Sequence, residues 1–314
     1  MKNSVYCITG GSGFLGKHLI SSLALDPELR IKYLSRGSKD IFPGFDNVDL
    51  YTGDLLEKDS LKGFLEPNSI LINLAYLKNN NETKNLEAVD NLITHAQVCK
   101  IRKMIHCSTA VVVGRSLEEN IDEMTRCKPH SDYEKTKHKI EVFLLGQNTK
   151  KVPITILRPS AIFGKHGANL KKIIEDIRSS SKITSYLRKS LYSDRSLGLV
   201  CVDNVVGSIA FLAATDKKID GEVFIISDDE YSANKYLHVS EIIENLFNIK
   251  PLSLKLLPIP EFFYGVFFRL LGKSDISRKR SYNCQKIKKI GFEKTSLFSD
   301  ELNNYVQWYK DGLR

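Results

Sequence analysis

Short apolar runs alternate with stretches of helical periodicity through the first third of the chain. Val5-Tyr6-Cys7-Ile8, Ile31-Lys32-Tyr33-Leu34, Val48-Asp49-Leu50-Tyr51, Ser69 to Ala75 and Lys103 to Cys107 each have the length and apolar content of a strand. Between the last two, Leu86, Val89, Leu92, Ile93 and Ala96 recur at helical spacing and predict a helix over 85–100. Repeated strand–helix units need right-handed crossovers, which lay the strands parallel and cover both faces of the sheet.

A long helix is predicted over His130 to Leu145, and a further strand over Ile154 to Arg158. Past residue 165 the alternation loosens. Helices near 169–179, 204–214, 235–247 and 297–311 are separated by brief strands at 198–202 and 223–226. The pattern divides the chain into residues 1–165, a regular α/β unit, and 166–314, a smaller α/β region that returns some strands to the main sheet. The apolar run Phe262 to Leu271 contains Arg269 and has about half the length needed to cross a bilayer. It predicts a buried or interfacial helix, with no integral membrane segment.

One turn organises the rest. Thr9-Gly10-Gly11-Ser12-Gly13-Phe14-Leu15-Gly16 follows the first strand and opens onto a helix at Lys17. Such a junction cradles a pyrophosphate: Gly10 permits the tight turn, Gly13 lets backbone approach phosphate, and Gly16 lets the helix pack on the strand. Ser12, Phe14 and Leu15 fall in the same cradle. With the alternation above, the fold class predicted is α/β, a Rossmann-type doubly wound parallel sheet.

Charge and cysteine content narrow the field. Lys+Arg number 46 against 37 Asp+Glu, an excess that suits an anionic ligand. No nucleic-acid-reading motif accompanies it, so nucleic acid is not an expected partner. Cys7, Cys99, Cys107, Cys127, Cys201 and Cys284 are scattered without a C-x-x-C pair. Neither a metal site nor a disulfide framework is expected, and a reducing cytoplasm is the natural compartment. The chain enters a strand almost at once, so no signal peptide is expected.

Tyr133-Glu134-Lys135-Thr136-Lys137 carries the candidate chemistry. On a helix, Tyr133 and Lys137 share a face. A free phenol with a pKa near ~10 is a poor acid or base at neutral pH, and a neighbouring ammonium with an oxidised nicotinamide draws that value down. Taken alone, the pentad is also what a surface tyrosine between solvated lysines looks like. Cys107-Ser108-Thr109-Ala110, however, ends the fifth strand, at the sheet edge where doubly wound folds bind ligands.

Here the chain resembles the extended short-chain dehydrogenase/reductase family, the NAD-dependent epimerase/dehydratase family, of nucleotide-sugar type. The resemblance rests on the G-x-x-G-x-x-G spacing of Gly10, Gly13 and Gly16, on Thr109 standing 24 residues before Tyr133, and on further landmarks in order. These are Gly53-Asp54-Leu55, Asn73-Leu74-Ala75, Asn85 at a helix start, Val112-Val113-Gly114, Leu157 to Gly164, and Val202-Asp203-Asn204-Val205. The resemblance implies that Tyr133 is the acid/base, that Lys137 holds the nicotinamide ribose, and that Thr109 bonds the reacting oxygen. It further implies that Asp54, Leu55, Leu74, Ala75, Pro159 and Ile162 line the dinucleotide, and that Tyr133's helix pairs two subunits in a homodimer.

At the end of the second strand, where an acid would hold a 2′-hydroxyl, stand Ser35 and Arg36, with no carboxylate until Asp40. NADP(H) is therefore expected over NAD(H), although Arg36 could equally stack on adenine. For the substrate, the resemblance points to a nucleotide sugar. Ser108 and Thr109 would meet the sugar; Asn169 would meet the diphosphate, with Arg195, Lys273, Arg278 and Arg280 as charged partners. Asn169 also suits a simple helix cap. Ala110-Val111 follow Thr109 where 4,6-dehydratases of the family need an Asp-Glu pair, so elimination is disfavoured. What remains is a 4-ketoreductase acting on a 4-keto (amino)deoxyhexose nucleotide for surface polysaccharide, or a UDP-sugar 4-epimerase that retains NAD. A non-catalytic dinucleotide sensor is more remote, because Thr109, Tyr133 and Lys137 are all kept.

Overall fold

The computed structural model describes residues 4–78, 81–116, 118–147, 151–257 and 280–313. Its centre is a seven-stranded, wholly parallel sheet. The strands are β1 (Val5–Thr9), β2 (Arg30–Ser35), β3 (Val48–Thr52), β4 (Ile70–Asn73), β5 (Lys103–Cys107), β7 (Ile154–Pro159) and β10 (Val223–Ile226). They lie in the order β3-β2-β1-β4-β5-β7-β10. The order reverses between β1 and β4, and that switch opens a crevice at the strands' carboxyl ends. Thr9 pairs with Asn73, and Asn73 with His106, so three polar side chains lie side by side across the switch.

One face of the sheet packs on α1 (Phe14–Leu23) and α6 (Val202–Ala214) through Leu19, Ile20, Val205 and Ile209. The other packs on α2 (Glu82–Cys99) and α3 (Asp132–Leu145) through Val89, Leu92, Ile93, Ile140 and Leu144. Val89, Leu92 and Ile93 are among the apolar positions the helical spacing predicts, and fully burying each such side chain contributes about 1.5–3 kcal/mol. A third core joins α4 (Asn169–Ser179), α7 (Tyr236–Leu246) and the C-terminal helix Phe298–Asp311 around Phe163, Ile174, Val239 and Leu302. No helix among the described residues is long and apolar enough to cross a membrane. The Phe262–Leu271 run lies outside the described residues.

Some boundaries differ from the pattern. The strand predicted to reach Ala75 stops at Asn73, because Asn73 Oδ1 accepts the Ala75 amide at 3.2 Å and turns the chain. α2 begins at Glu82, capped by Asn81, and Asn85 lies inside it. There Asn85 takes the Leu77 amide at 2.9 Å and returns a bond to the Leu77 carbonyl at 3.1 Å. Helix α5 (Lys182–Tyr192), begun by a Ser181 cap, has no counterpart in the pattern. Nor do β8 (Ala161–Phe163) and the short parallel pair of β6 (Asn120–Ile121) with β11 (Ser281–Tyr282); β8 pairs in parallel with β9 (Leu199–Cys201), the brief strand predicted at 198–202.

Candidate active site

The glycine turn behaves as its spacing predicts. Gly10 sits at φ +73°, and a Cβ there would meet the Ala75 amide nitrogen at 2.9 Å. A Cβ on Gly16 would come within 2.3 Å of the Gly10 carbonyl. α1 then starts from Gly13 with no side-chain cap and no acid in its first turn. Its leading amides are unsatisfied and its dipole unopposed, a donor set that fits a pyrophosphate.

The cradle opens into a cleft of about 350 Å³. Gly10, Ser12, Gly13, Phe14, Leu15 and Gly16 form its floor. Leu34, Ser35, Arg36, Asp54 and Leu55 form one wall, and Leu74, Ala75, Tyr76 and Leu77 the other. Among the described residues no carboxylate pairs with Arg36. Asp40 is turned away, accepting bonds from the Tyr33 hydroxyl at 2.8 Å and the Phe42 amide at 2.9 Å. This elongated, apolar-walled cleft with a backbone anion cradle fits a dinucleotide.

At the strand ends, Thr9 Oγ1 donates to Asn73 Oδ1 at 2.6 Å, and Asn73 Nδ2 donates to His106 Nδ1 at 3.1 Å. His106 is fully buried beside Lys137, and burial holds its pKa well below the ordinary value, so the imidazole is neutral. The same side chains that link β1, β4 and β5 thus shape the Leu74–Ala75 wall.

α3 is aimed by its cap. Ser131 accepts the Glu134 amide at 3.3 Å, and Glu134 reaches back to the Ser131 and His130 amides. This capping box fixes the first turn, placing Tyr133 at its start and Lys137 one turn on. The fourth residue beyond Lys137 is Glu141, which holds Arg158 of β7 through two bonds of 3.0 and 2.6 Å, both side chains buried. That fork ties the far end of the helix to the sheet.

Thr109, Tyr133 and Lys137 converge at the end of β5. Lys137 donates to the Cys107 carbonyl at 3.0 Å, and the Tyr133 hydroxyl lies near enough to Thr109 for that side chain to act on its pKa. The phenol, however, is pushed up to about 12 rather than drawn down. Loss of water around it is the main cause, with Cys107 and Tyr76 adding to it and Thr109 opposing. Tyr133 as a residue nevertheless keeps 41% of its surface. Burial also lowers Lys137, whose ammonium is committed to the Cys107 carbonyl and the Tyr76 ring. The depressed phenol expected from the pentad is therefore not a property of the protein groups alone.

Ser108 is buried beside Thr109, and its hydroxyl has no partner among the described residues. Pro159 ends β7, and Ile162 lies in β8. Asn169 opens α4 but does not cap it; its side chain donates to the Ile162 carbonyl at 2.8 Å. Arg280 donates to the Gly114 carbonyl at 2.7 Å, on the loop leaving Thr109, and among the described residues its buried Nε has no partner. Arg195 stands apart, 5.5 Å above the Tyr192 ring in a separate cavity with Ser196 and Tyr236. Lys273 and Arg278 lie outside the described residues. The sequence pattern overlooked Tyr76, which immediately follows the Asn73-Leu74-Ala75 landmark and touches both Tyr133 and Lys137.

Comparisons with known proteins agree with this geometry. The model of the NAD dependent epimerase/dehydratase family matches residues 6–227. The chain is 24% identical to the human sterol-4-alpha-carboxylate 3-dehydrogenase, decarboxylating, with 96% of this chain and 87% of that one covered. It is equally 24% identical to a UDP-N-acetyl-alpha-D-glucosaminuronate decarboxylase of Bacillus cytotoxicus, over 97% of each. In fold it resembles the dTDP-glucose 4,6-dehydratase of Bacillus anthracis, solved in complex with NAD. The TM-score is 0.70 at 18% identity, with 99% of this chain and 97% of the other covered.

Proposed function

Because the chain belongs to the NAD dependent epimerase/dehydratase family, we propose that it is a dinucleotide-dependent oxidoreductase acting on a nucleotide sugar, reducing a 4-keto (amino)deoxyhexose nucleotide. The observation that carries this reading is the convergence of Thr109, Tyr133 and Lys137 at the sheet edge, beside an uncapped glycine cradle. The dinucleotide, when bound, supplies the hydride. The chain's own groups do the rest.

The α1 amides and Gly13 receive the pyrophosphate, and Leu74 and Ala75 pack along it. Arg36, unpaired on the adenosine side, favours the 2′-phosphate of NADP(H) over the bare hydroxyl of NAD(H). Thr109 orients the carbonyl oxygen, and Tyr133 delivers a proton to it as the alkoxide forms. A phenol held near 12 keeps its proton through neutral pH, which suits the reductive direction. Lys137 steadies the ribose face and the departing charge. Ala110 and Val111 close the turn after Thr109 as apolar residues. They offer no acid to expel a hydroxyl, so dehydration does not follow from this site.

Arg280 and Asn169 support the sugar-nucleotide part of the reading as diphosphate partners. Residues beyond 165 would form the cover over that part. The epimerase alternative uses the same proton relay with a dinucleotide that stays bound. The deciding experiment incubates the protein with NADPH or NADH and a panel of 4-keto nucleotide sugars, with a sterol 4-carboxylate as a further arm. Loss of nicotinamide absorbance with a keto sugar supports the reductase. Interconversion of two UDP-sugars without added dinucleotide replaces it with the epimerase. Turnover of the sterol alone overturns the nucleotide-sugar reading.

A further inference from the structure

Tyr76 belongs to the wall of the cleft, yet its contacts are with the reacting group. Its ring meets the Tyr133 ring edge to face, with centroids 5.0 Å apart and planes at 85°. The Lys137 ammonium stands 5.3 Å from the centre of the same ring. Its hydroxyl lies close to Thr136, the buried α3 residue between them, which opposes the rise that burial gives the Tyr76 pKa. One side chain from the end of β4 therefore engages three residues on the first turns of α3.

The surroundings of Lys137 show why such a ring is useful. Its ammonium is buried, and among the described residues its hydrogen-bond acceptor is the Cys107 carbonyl. Neutral His106 lies on the β5 side, and Glu141, one turn along α3, is occupied by Arg158. A buried cation so placed tends to lose its proton. The negative face of an aromatic ring compensates without competing for that proton. Toward Tyr133, whose other neighbours are Cys107 and Thr109, the same ring packs in a T-shaped contact.

We propose that Tyr76 is a positioning residue, its ring holding the Lys137 ammonium on one face and bracing Tyr133 so that the phenol meets Thr109. This rests on the reading of Tyr133 as the proton donor. The aromatic ring carries the role and the hydroxyl is secondary, so Tyr76→Phe and Tyr76→Ala must diverge.

The test compares those two variants with Tyr133→Phe, using two readouts. The first is nitration of Tyr133 by tetranitromethane in the protein alone, mapped by mass spectrometry, because the reagent attacks phenolate. The second is the alkaline limb of the pH profile of kcat. In Tyr76→Ala, water reaches the phenol. Nitration of Tyr133 at mildly alkaline pH should rise about tenfold, and the alkaline limb should move about one unit lower. kcat near neutral pH should fall by about tenfold as alignment is lost. Tyr76→Phe should match the wild type in all three. Wild-type nitration and an unmoved limb in Tyr76→Ala, or Tyr76→Phe behaving like Tyr76→Ala, would overturn the positioning role. Tyr133→Phe separates the two levels: wild-type turnover there overturns the proton-donor reading itself.

Discussion

Around the glycine cradle, polar groups are left free; around Asp228, just beyond β10, they are consumed. In the cradle the α1 amides have no side-chain cap, and the glycines keep side chains out of the way. Asp228 is fully buried and uses both oxygens. It accepts the Cys201 amide at 2.8 Å, the Asn204 amide group at 3.1 Å and the Lys294 ammonium at 2.8 Å. Asn204, the asparagine of the V-D-N-V landmark, also exchanges bonds with Ser296, while Asp203 before it stays exposed. The two regions show one fold using the same chemistry in opposite senses. Unmatched donors make a binding site, and fully matched ones pin the later chain to the sheet edge.

The strongest challenge to that contrast is Lys294→Met. Lys294 is nearly inaccessible, and its pKa is raised by Asp228 against the cost of burial. Removing it strands a buried carboxylate, and the protein should lose about 3–5 kcal/mol in denaturant unfolding while the cradle's sequence is untouched. A silent substitution would mean that Asp228 is not a clamp. Next comes Gly16→Ala, whose methyl would collide with the Gly10 carbonyl. Stability should fall by about 1–3 kcal/mol, and dinucleotide binding, followed by nicotinamide fluorescence, should weaken beyond what unfolding explains. Binding that survives would show that the cradle tolerates a side chain. The smallest expected effect is that of Arg36→Ala, which leaves the fold alone. KM for NADPH should rise about tenfold, the worth of one charge-assisted bond, with KM for NADH unchanged. A parallel rise for both would make Arg36 an adenine stack instead.

The same contrast explains what could be read in the chain beforehand. The cradle is eight consecutive residues with fixed conformational duties, so spacing alone exposes it. The buried strands and the phase of α3 are local for the same reason: Ser131 and Glu134 set the helix start within one turn. The clamp needs residues 201, 204, 228, 294 and 296 together, and no short window contains it. Tyr76 hid because its partners lie nearly sixty residues further on. The direction of the Tyr133 pKa in the protein alone was not legible, because spacing reports which side chains share a face, but not how much water surrounds them. Arg195 illustrates a similar limit: its charge suggested a diphosphate, and spacing could not foresee that it stands over the Tyr192 ring in another cavity.

The short pairing of β6 with β11 joins residues 120–121 to residues 281–282, beside the Arg280 contact with Gly114. During synthesis, the strands that carry the cradle and the Thr109 loop leave the ribosome roughly ten to thirty seconds before Ser281 does, at the usual pace of elongation. A growing chain thus holds the glycine turn and the Thr109 loop for many seconds before it holds the residues that bond to the far side of that loop.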